Sequence, residues 1–203
     1  GGGSGDVPVS YVRNIYQRLK TKPEYLEVFD PLSLYYQEYV ESQYENGEIP
    51  GLLNEAAVPS HLLSKAREFT DTAVIVIGRY SGENWDRKND GTDDYFDLSK
   101  TESDMVKAVT DHFPRVAVLL NVGAMINTAW FADNDKISSA LIVWQGGQEG
   151  GLAAADILTG EVNPSGKLAD TCAKSFDDYP SSAGFHESEA YVKYTEDIFV
   201  GYR

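Results

Sequence analysis

The chain has 203 residues, a length that can bury one good hydrophobic core. Its formal net charge of −15 would repel the phosphates of a nucleic acid but would not oppose a neutral ligand such as a sugar. The sequence contains no apolar run long enough to cross a bilayer, and its single Cys172 cannot form an internal disulfide. We therefore expect a soluble globular protein with no nucleic acid or membrane partner. The compartment stays open, because the chain opens on glycines rather than on a start methionine.

The first part of the chain, residues 1–70, is predicted to be a glycine-rich loop followed by a helical region. Helical patterns cover 9–19, 33–46 and 60–69, and the stretch from 46 to 59 is typical of a loop. Four tyrosines of the second pattern could form a sugar-binding stripe, but their spacing is more typical of the packed face of a helix. They are Tyr35, Tyr36, Tyr39 and Tyr44.

From residue 71 to 203 the pattern changes to strands that alternate with helices. Continuous runs of β-branched and other apolar residues predict strands that are covered on both faces, and a helix between successive strands predicts parallel pairing. The resulting fold class is α/β: a mainly parallel sheet flanked by helices, with an N-terminal helical extension. The predicted strands are 73–77, 116–120 and 140–144, and the predicted helices are 99–112 and 147–159.

One connection is too long for an ordinary strand-to-helix loop. About twenty residues separate Gly78 from Ser99, where such loops usually take about 2–6 residues. In a parallel sheet this loop leaves the carboxyl edge, where ligands bind. It contains Glu83 and Trp85: a carboxylic acid can protonate a glycosidic oxygen, and an indole can stack on a sugar ring. From the residues alone, however, a solvated acidic loop with Trp85 plugging the sheet edge is the better-supported interpretation.

The loop sequence SGENWDR at 81–87, placed after the strand AVIVIG, resembles the acid/base segment of glycoside hydrolase family 3 β-glucosidases. Further segments match that family's C-terminal α/β sandwich domain in the same order, and together they cover most of the chain. They are GGGSG at 1–5, LLNVG at 119–123, LIVWQGGQEGG at 141–151, DILTGEVNPSGKL at 156–168 and YTEDIFVGYR at 194–203.

The resemblance implies that Glu83 is the catalytic acid/base of a retaining exo-β-glycosidase and that Trp85 binds the leaving-group sugar. Asn84 departs from the family, where a glycine is more usual. Family members take their nucleophilic aspartate from a Ser-Asp-Trp segment of an N-terminal barrel domain, and this chain contains neither. We therefore expect the isolated chain to be inactive without that barrel. The parent protein is expected to hydrolyse β-glucosides, the alternative being a non-catalytic carbohydrate-binding or scaffold module.

The remaining motifs predict structure rather than chemistry. Asp6 breaks a G-x-G-x-x-G match in the opening glycines, and no Lys-Ser or Lys-Thr follows to complete a P-loop. The segment GGQEGG at 146–151 is typical of a tight strand-to-helix turn, with Glu149 favoured by the helix dipole. The three histidines, His61, His112 and His186, lie far apart without metal-ligand spacing. We therefore expect no metal and no cofactor.

Overall fold

In the part of the chain that the structure describes, three helices precede the sheet and strands then alternate with helices, which confirms the predicted α/β class with its N-terminal helical region. The computed structural model describes residues 7–49, 51–80, 96–184 and 188–201. The helices are α1 (Ile15–Leu19), α2 (Asp30–Glu45), α3 (Ser60–Phe69), α4 (Lys100–His112), α5 (Ala129–Ala132) and α6 (Gly150–Leu158). The strands are β1 (Thr72–Arg79), β2 (Arg115–Val122) and β3 (Ile137–Ile142), and 3₁₀ turns occupy Gly147–Glu149, Phe176–Asp178 and Ser182–Gly184.

The three strands form one parallel sheet in the order β1-β2-β3. β1 and β2 pair without interruption from Thr72 beside Arg115 to Arg79 beside Val122. The β2–β3 register shifts once, at Ser138, which has no partner opposite it. All three strands therefore end at the same edge of the sheet, as parallel pairing requires.

One face of the sheet carries the hydrophobic core. Helices α3 and α4 pack on this face, and their buried apolar side chains meet alternate residues of the strands. The cluster includes Leu63 and Ala66 of α3, Met105, Val106 and Val109 of α4, Ile75 and Ile77 of β1, and Val116, Val118, Leu120 and Val122 of β2.

The opposite face of β1 is open, so the prediction of cover on both faces is wrong for this strand, and it is also wrong for β3, in which no residue is buried. Val74 and Val76 remain 44% and 43% exposed, whereas Leu119 beside them on β2 is buried. The reason is that both α3 and α4 lie against the Ile75 side, and the described residues supply no equivalent layer for the other side of β1.

Several element boundaries differ from the predicted ones. β3 occupies Ile137–Ile142 rather than 140–144, and α6 begins at Gly150 rather than 147, after a 3₁₀ turn. Two further differences have identifiable local reasons. α1 begins only at Ile15, because the Asn14 side chain caps its N-terminus in a capping box with Gln17, while the Arg13 backbone N–H donates to Gln148 O (2.9 Å). α2 begins at Asp30 rather than 33, because Pro31 lies in its first turn, where proline is tolerated. The predicted capping box of α4, formed by Ser99 and Glu102, is confirmed.

Ion pairs tie the N-terminal helical region to α6 at the far end of the chain. The Arg18 guanidinium lies 2.9 Å from Asp156, and Lys22, only 6% exposed, contacts both Asp156 (3.4 Å) and Glu161. These contacts join the helical region to α6, and α2 of the same region lies beside the carboxyl edge of the sheet. Within the described ranges, no helix combines the length and apolar character that crossing a membrane needs.

Candidate functional site

A cavity of about 380 Å³ opens at the carboxyl edge of the sheet and is called the edge cavity below. Side chains and backbone from the ends of β1 and β2 form its floor, and α2 with the segment 51–56 forms its wall. This volume lies in the range of small-molecule sites, and the position is where parallel sheets bind ligands. Its lining residues are Tyr36, Tyr39, Val40, Gly51, Leu53, Asn54, Glu55, Ala56, Gly78, Arg79, Tyr80, Glu102, Asn121 and Gln145.

The wall is held in place by tyrosine hydroxyl groups of α2. Tyr35 donates to Ala57 O (2.7 Å), Tyr39 donates to Asn54 O (3.0 Å) and Tyr36 donates to the Glu55 carboxylate (2.6 Å). These hydroxyls bond the protein itself, as expected for a packed helix face. Tyr44, in contrast, is 44% exposed.

The Glu55 carboxyl group of the edge cavity has a raised pKa. Desolvation raises its pKa, and the nearby Glu102 charge adds to that effect, while hydrogen bonds from the Tyr36 hydroxyl and the Ala56 N–H (3.1 Å) oppose it. The same burial, together with the Glu55 charge, raises the pKa of Tyr36 well above its ordinary value. Sequence reasoning missed Glu55, because nothing in the local pattern of a predicted loop indicates that it contacts α2.

Three amide side chains offer further hydrogen-bonding capacity in the edge cavity. The side chains of Asn54, Asn121 and Gln145 all line it, and none of them bonds another residue of the described part of the chain. Amides both donate and accept hydrogen bonds, which matches the hydroxyl groups of a neutral sugar. The arrangement is suited to an uncharged, hydroxyl-rich ligand.

A buried ion pair lies at the base of the edge cavity. The Arg79 guanidinium makes a two-pronged contact with the Glu102 carboxylate, with Nη2 2.6 Å from Oε2, and the side chains are only 7% and 10% exposed. Glu102 also accepts a hydrogen bond from Ser99 N (2.8 Å). The pair therefore joins the end of β1 to the start of α4, the two elements that flank the long loop.

The strand-to-helix turn after β3 adopts a strained conformation at the same edge. Trp144 has φ 51° and Gly147 has φ 68°, a region that glycine tolerates but a bulky residue adopts at a cost. The Glu149 carboxylate accepts a hydrogen bond from the Tyr11 hydroxyl (2.6 Å) and raises the pKa of that phenol. The predicted tight turn at 146–151 is confirmed, with Glu149 just before α6.

The two residues to which the sequence assigned chemistry, Glu83 and Trp85, lie in the segment 81–95, outside the described residues. The described residues on either side of that segment are Tyr80, which lines the edge cavity, and Phe96. His186 also lies outside the described part. Within that part, no three His, Cys, Asp or Glu side chains form a group that could hold a metal ion.

The parallel sheet flanked by helices, with a polar cavity at its carboxyl edge, places this chain in the class of α/β proteins that have a cavity where such sheets bind ligands. Residues 1–202 match the sequence model of the glycosyl hydrolase family 3 C-terminal domain, so the chain belongs to that family.

Among curated relatives, the chain is 49% identical over its full length to β-glucosidase A of Butyrivibrio fibrisolvens, of which it covers 27%. It is 40% identical over 83% of its length to a β-glucosidase of Ruminococcus albus, of which it covers 18%. The chain thus spans less than a third of the length of these relatives.

Solved structures agree with the fold over the whole chain. A β-glucosidase from Paenibacillus barengoltzii superposes with a TM-score of 0.89 at 38% identity, and the chain covers 22% of it. β-Glucosidase 3B from Thermotoga neapolitana, solved in complex with glucose, superposes with a TM-score of 0.83 at 36% identity, and the chain covers 29% of it.

Proposed function

We propose that the protein containing this chain is a retaining exo-β-glycosidase that acts on terminal β-D-glucosyl residues, with Glu83 as its acid/base. The observation that carries the proposal is the edge cavity, which is lined by Tyr80 at the carboxyl end of the sheet. Glu83 follows Tyr80 by three residues, and three residues of chain span at most about 11 Å. Covalent connectivity therefore supports a role for this glutamate toward a ligand in the cavity.

In this mechanism Glu83 acts twice. It first donates a proton to the glycosidic oxygen while a nucleophilic carboxylate bonds to C1 and the C1–O bond breaks. It then removes a proton from water, which attacks C1 and releases the sugar and the nucleophile. A retaining enzyme needs the two carboxyl groups about 5–5.5 Å apart. We propose that the nucleophile is supplied by a barrel domain outside these 203 residues, because no Ser-Asp-Trp segment occurs in them.

We propose that residues of this chain, rather than of the barrel, bind the leaving-group sugar. Trp85 would stack on the apolar face of the departing sugar, and the side-chain amides of Asn54, Asn121 and Gln145 would bond its hydroxyls. The curated relatives and solved structures named above are β-glucosidases, which supports a glucosyl residue on the other side of the cleaved bond.

We further propose that residues 1–203 act as one α/β sandwich domain, with 1–70 forming its glycine-rich loop and helical region and 71–203 its strand-helix core. The contacts of Arg18 and Lys22 with Asp156 support this, because they join the helical region to α6. The edge cavity supports it too, since both regions line it.

The second candidate function is a non-catalytic carbohydrate-binding or scaffold module. The observation in its favour is the set of amide side chains that line the edge cavity, because amides can hydrogen-bond sugar hydroxyls without taking part in a reaction. The sequence of the whole protein that contains this chain distinguishes the enzyme from the module. A barrel domain with a Ser-Asp-Trp segment would support the enzyme, and its absence would support the module.

The test of the acid/base assignment is Glu83→Gln in the intact protein. Because an activated aryl leaving group departs without protonation, kcat/KM should fall far more for an alkyl glucoside or cellobiose than for 2,4-dinitrophenyl β-glucoside. Azide should restore turnover of the aryl substrate by replacing the water that Glu83 activates. Equal losses on both substrates, with no azide rescue, would show that Glu83 is not the acid/base.

A further inference from the structure

We propose that Arg79 and Glu102 are positioning residues that fix both ends of the segment carrying Glu83. This inference rests on the proposed function, because it gives the pair a role in placing the acid/base. In this proposal the pair takes no chemical step of its own and acts through the loop.

Arg79 holds the point where the loop leaves β1. Its Nη1 donates to Gly78 O (2.9 Å) and to the Glu102 carboxylate, while Nη2 donates to Glu102 Oε2 (2.6 Å) and to Asp97 O (3.1 Å). A planar guanidinium can make these bonds together because its donors form a rigid fork. One side chain therefore connects residue 78, before the loop, to residue 97, after it.

The far end of the loop is held a second time by Asn127. Its side-chain amide donates to Asp97 Oδ1 (2.7 Å), and its backbone N–H donates to Phe96 O (2.8 Å). The Phe96 ring also makes edge contacts with Phe176 and Tyr179, at centroid distances of 5.9 and 6.0 Å. Arg79 at the end of β1 is thus bonded to Asp97, and Asn127 holds both Phe96 and Asp97.

Stability alone is a poor explanation for placing a buried ion pair at this position. Desolvation of two charges consumes most of their mutual attraction, and well-packed apolar residues often serve stability equally well. The Arg79 Nε is, in addition, buried without an acceptor among the described residues, which is a cost. An apolar pair, however, could not donate to Asp97 O, and this bond is what links the two ends of the loop.

Precise placement matters for an acid/base because proton transfer needs hydrogen-bond distances to the glycosidic oxygen. A displacement of about 1 Å can cost about 100-fold in rate. Loosening the loop should therefore mimic part of the Glu83→Gln phenotype. It should lower kcat/KM for poor leaving groups and spare it for 2,4-dinitrophenyl β-glucoside.

The main variant is Arg79→Met with Glu102→Gln in the intact protein. Arg79→Met alone would leave the Glu102 charge buried and unpaired, which impairs folding. In the double variant neither position is charged, and the amide oxygen introduced by Glu102→Gln can still accept from Ser99 N in the capping box. The matched control is Lys100→Met with Asp104→Asn, which removes an ion pair (2.6 Å) that is exposed on the same helix.

The measured quantity is the ratio of kcat/KM for the activated aryl glucoside to that for cellobiose. We expect this ratio to rise about 10-fold or more in the Arg79/Glu102 double variant, with azide increasing aryl turnover, and to stay unchanged in the control. Arg79→Lys is the second variant: it keeps the buried charge pair but lacks the fork, so the ratio should rise by about 3-fold or more.

An unchanged ratio in folded Arg79→Lys and double-variant protein would overturn the inference, and so would a uniform loss on both substrates. If the double variant does not fold, Arg79→Lys decides the question alone. The Glu83→Gln variant distinguishes a failure of the positioning role from a failure of the proposed acid/base function. If Glu83→Gln leaves the ratio unchanged, the acid/base assignment fails, and if it raises the ratio while Arg79→Lys does not, only the positioning role fails.

Discussion

Two neighbouring glycines at the start of α6 should respond oppositely to the same substitution. An added Cβ at Gly151 would lie 2.3 Å from Arg13 O and 2.7 Å from Asn14 Cα, whereas an added Cβ at Gly150 would meet no atom within 4 Å. The obstacle at Gly151 is backbone, which cannot rotate away as a side chain can. Gly151→Ala must therefore push the segment before α1 outward by about 1 Å to reach an ordinary contact distance.

The expected cost follows from the contacts that this shift would disturb. Overpacking costs about 1–3 kcal/mol, and losing the hydrogen bond from Arg13 N–H to Gln148 O adds about 1 kcal/mol. Replacing a helical glycine by alanine returns up to about 1 kcal/mol. Gly151→Ala should therefore destabilise the chain by about 1–3 kcal/mol, and Gly150→Ala should be neutral or stabilising by up to about 1 kcal/mol.

Hydrogen exchange read by mass spectrometry is the appropriate assay, because it reports the opening of this contact separately from global unfolding. Amides of the peptide 9–19 should exchange faster in Gly151→Ala than in the wild type, and urea denaturation should show a lower midpoint. Both measurements should be unchanged, or shifted the other way, in Gly150→Ala. Equal behaviour of the two variants would refute the close backbone approach at Gly151.

The remaining predictions concern the edge cavity and the helix that follows the loop. Because burial raises the folded-state pKa of Glu55, its contribution to stability is complete below the unfolded-state pKa of about 4.3 and is lost as pH rises through the folded-state pKa. The unfolding free energy of Glu55→Gln should therefore increase relative to that of the wild type as pH rises from 4 to 7. A constant difference in unfolding free energy between the two proteins over this pH range would contradict the raised pKa. Ser99→Ala removes the oxygen that accepts from Glu102 N (3.2 Å) and should cost about 1 kcal/mol of unfolding free energy. Ser103→Ala, on the exposed side of the same helix, is the control and should change stability by less than about 0.5 kcal/mol.

Local sequence patterns predicted most of the core helices and strands, because neighbouring residues determine where these elements begin and end. The β-branched runs produced β1 and β2 with ends within two residues of the prediction, and the Ser99–Glu102 capping box set the start of α4. Gly160, with φ 77°, follows α6 as the predicted C-terminal stop. Each of these features depends on residues within one helical turn or one strand.

Features that depend on distant contacts were not predictable in the same way. The helical pattern at 9–19 yields a helix only from Ile15, because Arg13 bonds Gln148. Likewise, Arg79 and Glu102 are 23 residues apart, and no spacing rule links the end of a strand to the first turn of the next helix across a long loop. The assignment of chemistry to Glu83 came from family resemblance, and the described residues do not include it.

The sequence by itself determined the α/β class, the strand-helix alternation and the family, because repeated apolar runs and ordered motifs carry that information along the chain. Only the tertiary structure decided what surrounds the carboxyl edge of the sheet. There, the helical region brings Tyr36 and Glu55 into the cavity, and Arg79 is buried against Glu102. These partners are assembled by packing between elements, and the free energy of that packing depends on three-dimensional burial that no local pattern encodes.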